Sequence, residues 1–336
     1  MNHPVFPQLR KDPIVDRWVL IAPERAERPT ELEEPAHLAH HETCPFCEGR
    51  ERETTPEVLA FRAPGSQPDG PGWKLRVVAN RYPAVRGDAG GTPCTDKLFA
   101  SHPGVGAHEV VVECPQHEAS LAALPPDQFR LVFTAYRDRL KSLRDDERIA
   151  YAQVFKNHGV AAGASVEHAH SQILALSQAP HELRNEYDAA ERYHRTHGRC
   201  VFCDLLGRER DAGVRMVSET EHVAAFAAFA GRFPYETWLL PIRHAGHYDR
   251  LSDAELTDAA SVVRTILRRL GDLNEDAAYN YVLHTLPLRV AESPAYHWHL
   301  EILPRLTGIA GFELATGCFA NPVPPEEAAA RLRAGI

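Results

Sequence analysis

The chain has 336 residues, 44% of them apolar and 25% charged, and a net charge of −9. That composition describes a globular protein with one large or two ordinary domains. Its basic residues are scattered, which argues against a nucleic-acid partner. No apolar run approaches the ~20 residues that a membrane helix needs.

The opening "MNHPVFPQLRKDPIVDRW" lacks the charged-then-apolar pattern of a secretory signal, so a cytoplasmic address is expected. Cysteines in such a compartment serve as ligands, nucleophiles or inert core rather than disulfides. In "DRWVLIAPERAERP" a short apolar strand leads into a turn carrying Arg25 and Arg28. A polar stretch follows, then the pair Cys44 and Cys47 in "CPFC". Gly/Pro density marks "APGSQPDGPGW" as a loop, and "KLRVVANRYPAV" after it reads as a strand. "AHEVVVECPQH" is a second strand, ended by a proline turn at His117. "PPDQFRLVFTAYRDRLKSL" opens on proline and spaces its apolar residues helically. "YAQVFKNHG" and "HAHSQILAL" are strands joined by the small-residue loop "GVAAGAS".

The second half repeats this order. Cys200 and Cys203 form "CVFC", and "ETWLLPIRH" is a strand closed by proline and His244. A helix over "LSDAELTDAASVVRTILRRLGDL" opens with a Ser252-to-Glu255 cap, then come the strands "YNYVLHT" and "YHWHLEILP". The interval from His117 to His244 agrees within two residues with that from His168 to His297. The spacing predicts an internal duplication: an α+β fold of two half-domains, 1–190 and 191–336.

Each half offers two thiols and two histidines, the set a tetrahedral zinc ion takes. The nominated ligands are Cys44, Cys47, His117 and His168, then Cys200, Cys203, His244 and His297. In the second set His247, His284 and His299 compete for the histidine positions. Cys94, Cys114 and Cys318 stand alone and read as structural. A four-ligand site is closed, so the chemistry must lie elsewhere. If His168 is tied to a metal, His170 beside it becomes a rigid neutral imidazole, suited to nucleophilic attack. Gln172 can donate its amide to an anionic oxygen, and Ser165 with the small-residue loop can approach a phosphate closely. General-base use of His170 and zinc-assisted hydrolysis are the rival roles.

With "HAHSQ" and the approach "NHGVAAGAS", the chain resembles, over nearly its whole length, the galactose-1-phosphate uridylyltransferase family of the histidine-triad superfamily. The resemblance implies two histidine-triad-like half-domains, each an antiparallel sheet with packed helices. It also implies a ping-pong reaction. His170 attacks the α-phosphate of a nucleotide sugar, a nucleotidyl-histidine forms, and a sugar 1-phosphate or phosphate acceptor collects the nucleotide. Asn157, Ser165 and Gln172 would contact phosphate, and Asn80 the nucleoside. Arg25 and Arg28 would reach the partner's nucleotide, and Phe312 and Glu313 of "GFELATG" would approach its sugar, so a homodimer with shared active sites is expected.

Ala169 and Ser171 depart from the family's His-Pro-His-Gly-Gln pattern. The glutamine that galactose-specific members carry after the aromatic-acid pair has no counterpart in "FELATGCFANPVPPEEAA". That ending looks more like the plant ADP-glucose phosphorylase branch, which moves adenylyl between glucose 1-phosphate and phosphate. The metal expectations are zinc at the first site and zinc or iron at the second. The uridylyl reading, galactose-1-phosphate uridylyltransferase, is taken first and adenylyl transfer is its rival. A histidine-triad nucleotide hydrolase is disfavoured because Gln172 stands where hydrolases carry a further histidine. A zinc-stapled binding module would leave Ser165, His170 and Gln172 without a role.

Overall fold

The computed structural model describes residues 7–27, 44–118, 120–274 and 277–334. Short strands β1 (Gln8–Lys11) and β2 (Trp18–Ile21) pair antiparallel, and β13 (Phe319–Asn321) joins β2 in parallel. This small sheet ties the two ends of the chain together. Sequence reading expected only its middle strand.

The main sheet has ten strands. From the first half come β3 (Glu57–Arg62), β4 (Trp73–Ala79), β5 (Gly106–Val112), β6 (Tyr151–His158) and β7 (His170–Leu176). From the second come β8 (Met216–Glu219), β9 (Val223–Ala227), β10 (Thr237–Pro241), β11 (Tyr279–His284) and β12 (His299–Pro304). Their order is β3-β4-β5-β7-β6-β11-β12-β10-β9-β8, and every neighbouring pair is antiparallel. The fold is thus α+β around one large antiparallel sheet. The two His-x-His strands, β7 and β12, flank the central β6–β11 pair.

Helices α1 (Pro126–Arg144) and α4 (Asp253–Leu273) cover one face. In α1 the buried Phe129, Val132, Phe133, Tyr136, Leu140 and Leu143 recur at helical spacing and form its core stripe. The expected cap of α4 is present: Ser252 Oγ accepts from the Glu255 N–H at 3.3 Å, and Glu255 Oε2 accepts from the Ser252 N–H at 2.8 Å. Both helices bury the alternate residues of the strands beneath them, Ile173 and Ala175 of β7 among them.

The sequence pattern marks only α1 and α4 as helices; α2 (His181–His197) and α3 (Val201–Ala212), like the two short helices near the carboxyl end, carry no such signal. Gly198, at φ +68°, closes α2 by donating its N–H to His194 O. On the far face of the second half, Phe202, Leu205 and Leu206 of α3 pack with Phe226, Trp238 and Leu240. The same face of the first half carries a smaller cluster, Trp73, Val78, Val110 and Val112, with Phe46 against it. Helices α5 (Gly311–Thr316) and α6 (Pro325–Ala334) complete the described chain.

The His-x-His segments differ from expectation in one respect. Each strand begins at its second histidine, and His168 and His297 lie just outside the sheet. Their rings turn toward the cysteine pairs instead of following the strand's alternation. No helix among the described residues is long and apolar enough to cross a membrane.

Candidate active site and metal centres

Cys44, Cys47, His117 and His168 converge, as do Cys200, Cys203, His244 and His297. Within each group the ligand atoms all lie within 4.8 Å of one another. In the first, Sγ–Nδ1 separations are 3.6 Å (Cys44–His168), 3.5 Å (Cys47–His117) and 3.7 Å (Cys47–His168). In the second they are 3.5 Å (Cys200–His297), 3.4 Å (Cys203–His244) and 3.8 Å (Cys203–His297). Tetrahedral zinc, with Zn–S near 2.3 Å and Zn–N near 2.0–2.1 Å, sets an S···N edge of about 3.6 Å. The donor sets therefore fit zinc in both halves.

The outer contacts agree. His168 Nε2–H donates to Cys114 O at 2.8 Å and His244 Nε2–H to Ser293 O at 2.9 Å. Each thereby presents an unprotonated Nδ1 to the thiols, as a metal-bound imidazole requires. A third group was not assembled from the sequence: Glu186, His284 and His299 also lie within 4.8 Å of one another. The sequence offers only the two histidines of that group, because no spacing connects Glu186 on α2 with them.

His170 stands at the head of β7, 8% exposed. Its Nδ1–H donates to His168 O at 2.8 Å, which leaves the Nε2 lone pair free. The ring of Phe46, from the middle of CPFC, packs on His168 and His170 with centroids at 6.0 and 5.5 Å. Beneath the strand, Lys156 Nζ donates to His170 O at 2.9 Å and to Glu113 Oε2 at 2.7 Å. Burial first, and then the Lys156 ammonium, push His170 down to about 4. The ring is neutral near pH 7.

Two amides lie along the paired strands β7 and β6, one of them two residues beyond Phe155, which pairs with Gln172. Gln172 shares its face of β7 two residues on, and its Oε1 accepts from His108 Nε2 at 2.8 Å. Asn157, on β6, accepts at Oδ1 from Asn280 Nδ2 at 2.8 Å, and the same Asn280 amide donates to Ala162 O at 2.8 Å. Both amides have their oxygens occupied and their N–H groups available. Gly159, at φ +79°, turns the chain into the loop holding Ala162 and the exposed Ser165. A Cβ on Gly159 would meet Ala278 Cβ at 2.8 Å, so only glycine fits. Ser171 points the other way, where its Oγ accepts from Tyr136 OH at 2.7 Å. This departure from the family motif is a core contact.

Asn80 immediately follows β4, and its Oδ1 accepts from the Tyr82 N–H at 2.8 Å in a side-chain-closed turn. Arg25 is exposed on the turn after β2, and Arg28 lies outside the described residues. Phe312, half exposed, and Glu313 sit on α5, where Glu313 accepts from the Ala310 N–H at 3.1 Å. Sequence reading missed Phe46, His108, Lys156, Glu113 and Asn280. Of these only Phe46, an aromatic inside a Cys-x-x-Cys loop, carried a local signal.

The galactose-1-phosphate uridyl transferase N-terminal domain model matches residues 1–180, and a model for a domain of unknown function, DUF4921, matches 104–335. The chain is 37% identical to ADP-glucose phosphorylase of Arabidopsis thaliana, covering 97% of this chain and 92% of that one. It is 28% identical to galactose-1-phosphate uridylyltransferase of Thermotoga maritima, covering 97% and 98%. The crystal structure of an Arabidopsis thaliana ADP-glucose phosphorylase with bound ADP-glucose superposes with a TM-score of 0.83 at 37% identity, covering 97% of this chain and 98% of that one. A uridylyltransferase structure superposes at 0.77 with 30% identity, covering 97% of each. The chain belongs to the galactose-1-phosphate uridyl transferase family of nucleotidyltransferases.

Proposed function

We propose that this protein transfers adenylyl groups between ADP-glucose and phosphate through an adenylyl-His170 intermediate, as an ADP-glucose phosphorylase. The observation that carries the chemistry is the His170 ring. Its Nδ1–H is tied to His168 O, its Nε2 is bare, and the amides of Gln172 and Asn157 stand beside it with their oxygens already engaged. The Nε2 lone pair attacks Pα and the Pα–O bond to glucose 1-phosphate breaks, that group leaving with the electron pair. A phosphate oxygen then attacks Pα, the N–P bond breaks, and ADP departs. The Nδ1 proton stays on its nitrogen, donated to the His168 carbonyl, throughout. Gln172 and Asn157, with Ser165 and the loop N–H groups, would balance the charge that grows on the equatorial oxygens.

Adenylyl rather than uridylyl transfer is supported by the 37% identity to ADP-glucose phosphorylase against 28% to a uridylyltransferase, and by the missing glutamine after Glu313. The galactose reading taken first from the sequence thus yields to its rival. Asn80 would face the nucleoside. Zinc would be held by both Cys₂His₂ groups, where it fixes His168 and, across the sheet, His297.

The strand order supports the duplication. Reading outward from the central β6–β11 pair, β7, β5, β4 and β3 run against β12, β10, β9 and β8, with the halves meeting near residue 190. Arg25, Phe312 and Glu313 are surface groups, consistent with service in a partner's site within a homodimer.

The test is ADP-glucose labelled at the α-phosphate. Acid-labile, base-stable label on His170, absent from His170→Asn and released as ADP by phosphate, is expected. Label that persists in His170→Asn refutes the proposal. UDP-glucose with galactose 1-phosphate, run in parallel, should exchange far more slowly; faster exchange there would return the uridylyl reading.

A further inference from the structure

His108 lies on β5, where Val110 is the direct cross-strand partner of Gln172. His108 is therefore the diagonal neighbour of Gln172 on the same face. Its proton can be assigned from its surroundings. The Ala84 backbone N–H donates to His108 Nδ1 at 3.1 Å, so that nitrogen accepts and the ring carries its hydrogen on Nε2. The Nε2–H then donates to Gln172 Oε1 at 2.8 Å. Asn80 Nδ2 lies 3.3 Å from the same nitrogen but offers another N–H, and Asn80 Oδ1 is taken by Tyr82. Neither end of the Asn80 amide can supply what Gln172 Oε1 supplies. If the Gln172 amide turned over, its NH₂ would face an N–H with no acceptor between them.

We infer that His108 is a positioning residue, which locks Gln172 with its NH₂ toward the reacting phosphate. This rests on His170 as the nucleotidyl carrier. An amide left to turn freely would offer its oxygen to an anion for part of the time, repelling the charge it should stabilise. A backbone N–H sets the tautomer of a histidine, the tautomer sets the amide, and the amide meets the phosphate. Every link is a hydrogen bond in the structure except the last, which awaits substrate.

The experiment uses the full-length protein and α-labelled ADP-glucose, with the rate of label transfer to His170 as the readout. His108→Asn keeps an acceptor for the Ala84 N–H yet is too short to reach Gln172. Losing one preorganised donor costs roughly 100–1,000-fold in rate, so loosening one should slow labelling by about 10-fold or more. In a Gln172→Ala background the same change should cost less than about twofold, because residues that act through one group are not additive. His108→Gln, which restores an N–H near the Nε2 position, should recover most of the loss.

An equal loss from His108→Asn in both backgrounds, or none in the wild-type background, overturns the positioning role while leaving adenylyl-His170 intact. If His108→Asn does not fold, His108→Gln is compared with His108→Leu: a loss of about 10-fold or more in the folded leucine variant that the glutamine variant avoids supports the role, and equal labelling of the two overturns it. Absence of label on His170 in the wild-type protein overturns the reading and this inference together.

Discussion

Replacing Lys156 by methionine tests whether His170 is held from below. Lys156 and Glu113 are 1% and 0% exposed, and the ammonium bridges a carboxylate at 2.7 Å and the His170 carbonyl at 2.9 Å. Glu113 Oε1 has no hydrogen-bond partner, so the pair is incompletely satisfied even in the native protein. Removing one member of a buried pair strands the other, at about 3–5 kcal/mol. Unfolding entropy of about 2.1 cal/mol/K per residue over 336 residues gives about 0.7 kcal/mol/K, and the midpoint should therefore fall by roughly 4–7 °C. The double variant Glu113→Leu/Lys156→Met strands nothing and should recover most of this, short of the ~1 kcal/mol of the lost bond to His170 O. Thermal melts of the three metal-loaded proteins decide it. A Lys156→Met midpoint within about 1 °C of wild type, or a double variant no better than the single, refutes the reasoning, and Lys156 is then solvated or re-paired in a way this geometry does not contain.

Cys47→Ser removes a thiol from the metal group that includes His168, so metal content should halve and labelling of His170 should fall at least 10-fold, the loss typical of mispositioned ligands. Cys203→Ser should also halve the metal, by elemental analysis, yet leave His170 labelling far less affected, because its cluster adjoins His299 and not His170. Since burial and then Lys156 hold His170 at about 4, the neutral ring persists as pH falls. Single-turnover labelling should stay flat from pH 7.5 to about 5 and halve near 4, whereas a free imidazole would titrate at about 6.5; a midpoint near 6.5 contradicts the buried geometry. Gly159→Ala forces a side chain into a φ, ψ region that costs about 1–3 kcal/mol and against Ala278, so both the thermal midpoint and labelling should drop.

The legible parts of this protein were those written locally. Cys-x-x-Cys spacing, the Ser252–Glu255 cap and the His-x-His pairs each lie within a few residues, and the structure assembles both nominated metal groups around them. Helix α1 was legible because its core stripe is periodic. Helices α2 and α3 were not, since α2 is mostly polar and buries only Glu186, Ala189 and Ala190. The supporting residues were least visible. His108 reaches Gln172 across 64 positions and Lys156 reaches Glu113 across 43, joined only by strand pairing that no local pattern encodes. The edge strands β1 and β13 have only four and three residues, too short for an alternating signal.

The two halves share a sheet plan, and each gathers two thiols and two histidines that could hold a metal ion, but the chemistry proposed for His170 has no room at His299. In the first half the ring heads a strand whose outer face holds Gln172 and His108, both only partly buried. In the second, His299 is fully buried, with Phe202 of α3 at 5.0 Å and Trp238 at 5.4 Å between ring centroids. Two residues on, where the first half has the amide of Gln172, the second has the carboxylate of Glu301, paired with Arg232 and 3% exposed. An amide can donate to an anionic oxygen and a carboxylate can only repel it. Helix α3 begins immediately after Cys200, so the segment that supplies the second metal group is also the lid over His299. The Cys203 thiol and the loss of access come from the same helix, and Glu186, half-buried His284 and buried His299 close up behind it. The first half keeps its histidine open to the nucleotide proposed above, and the second becomes the wall against which the central strands are set.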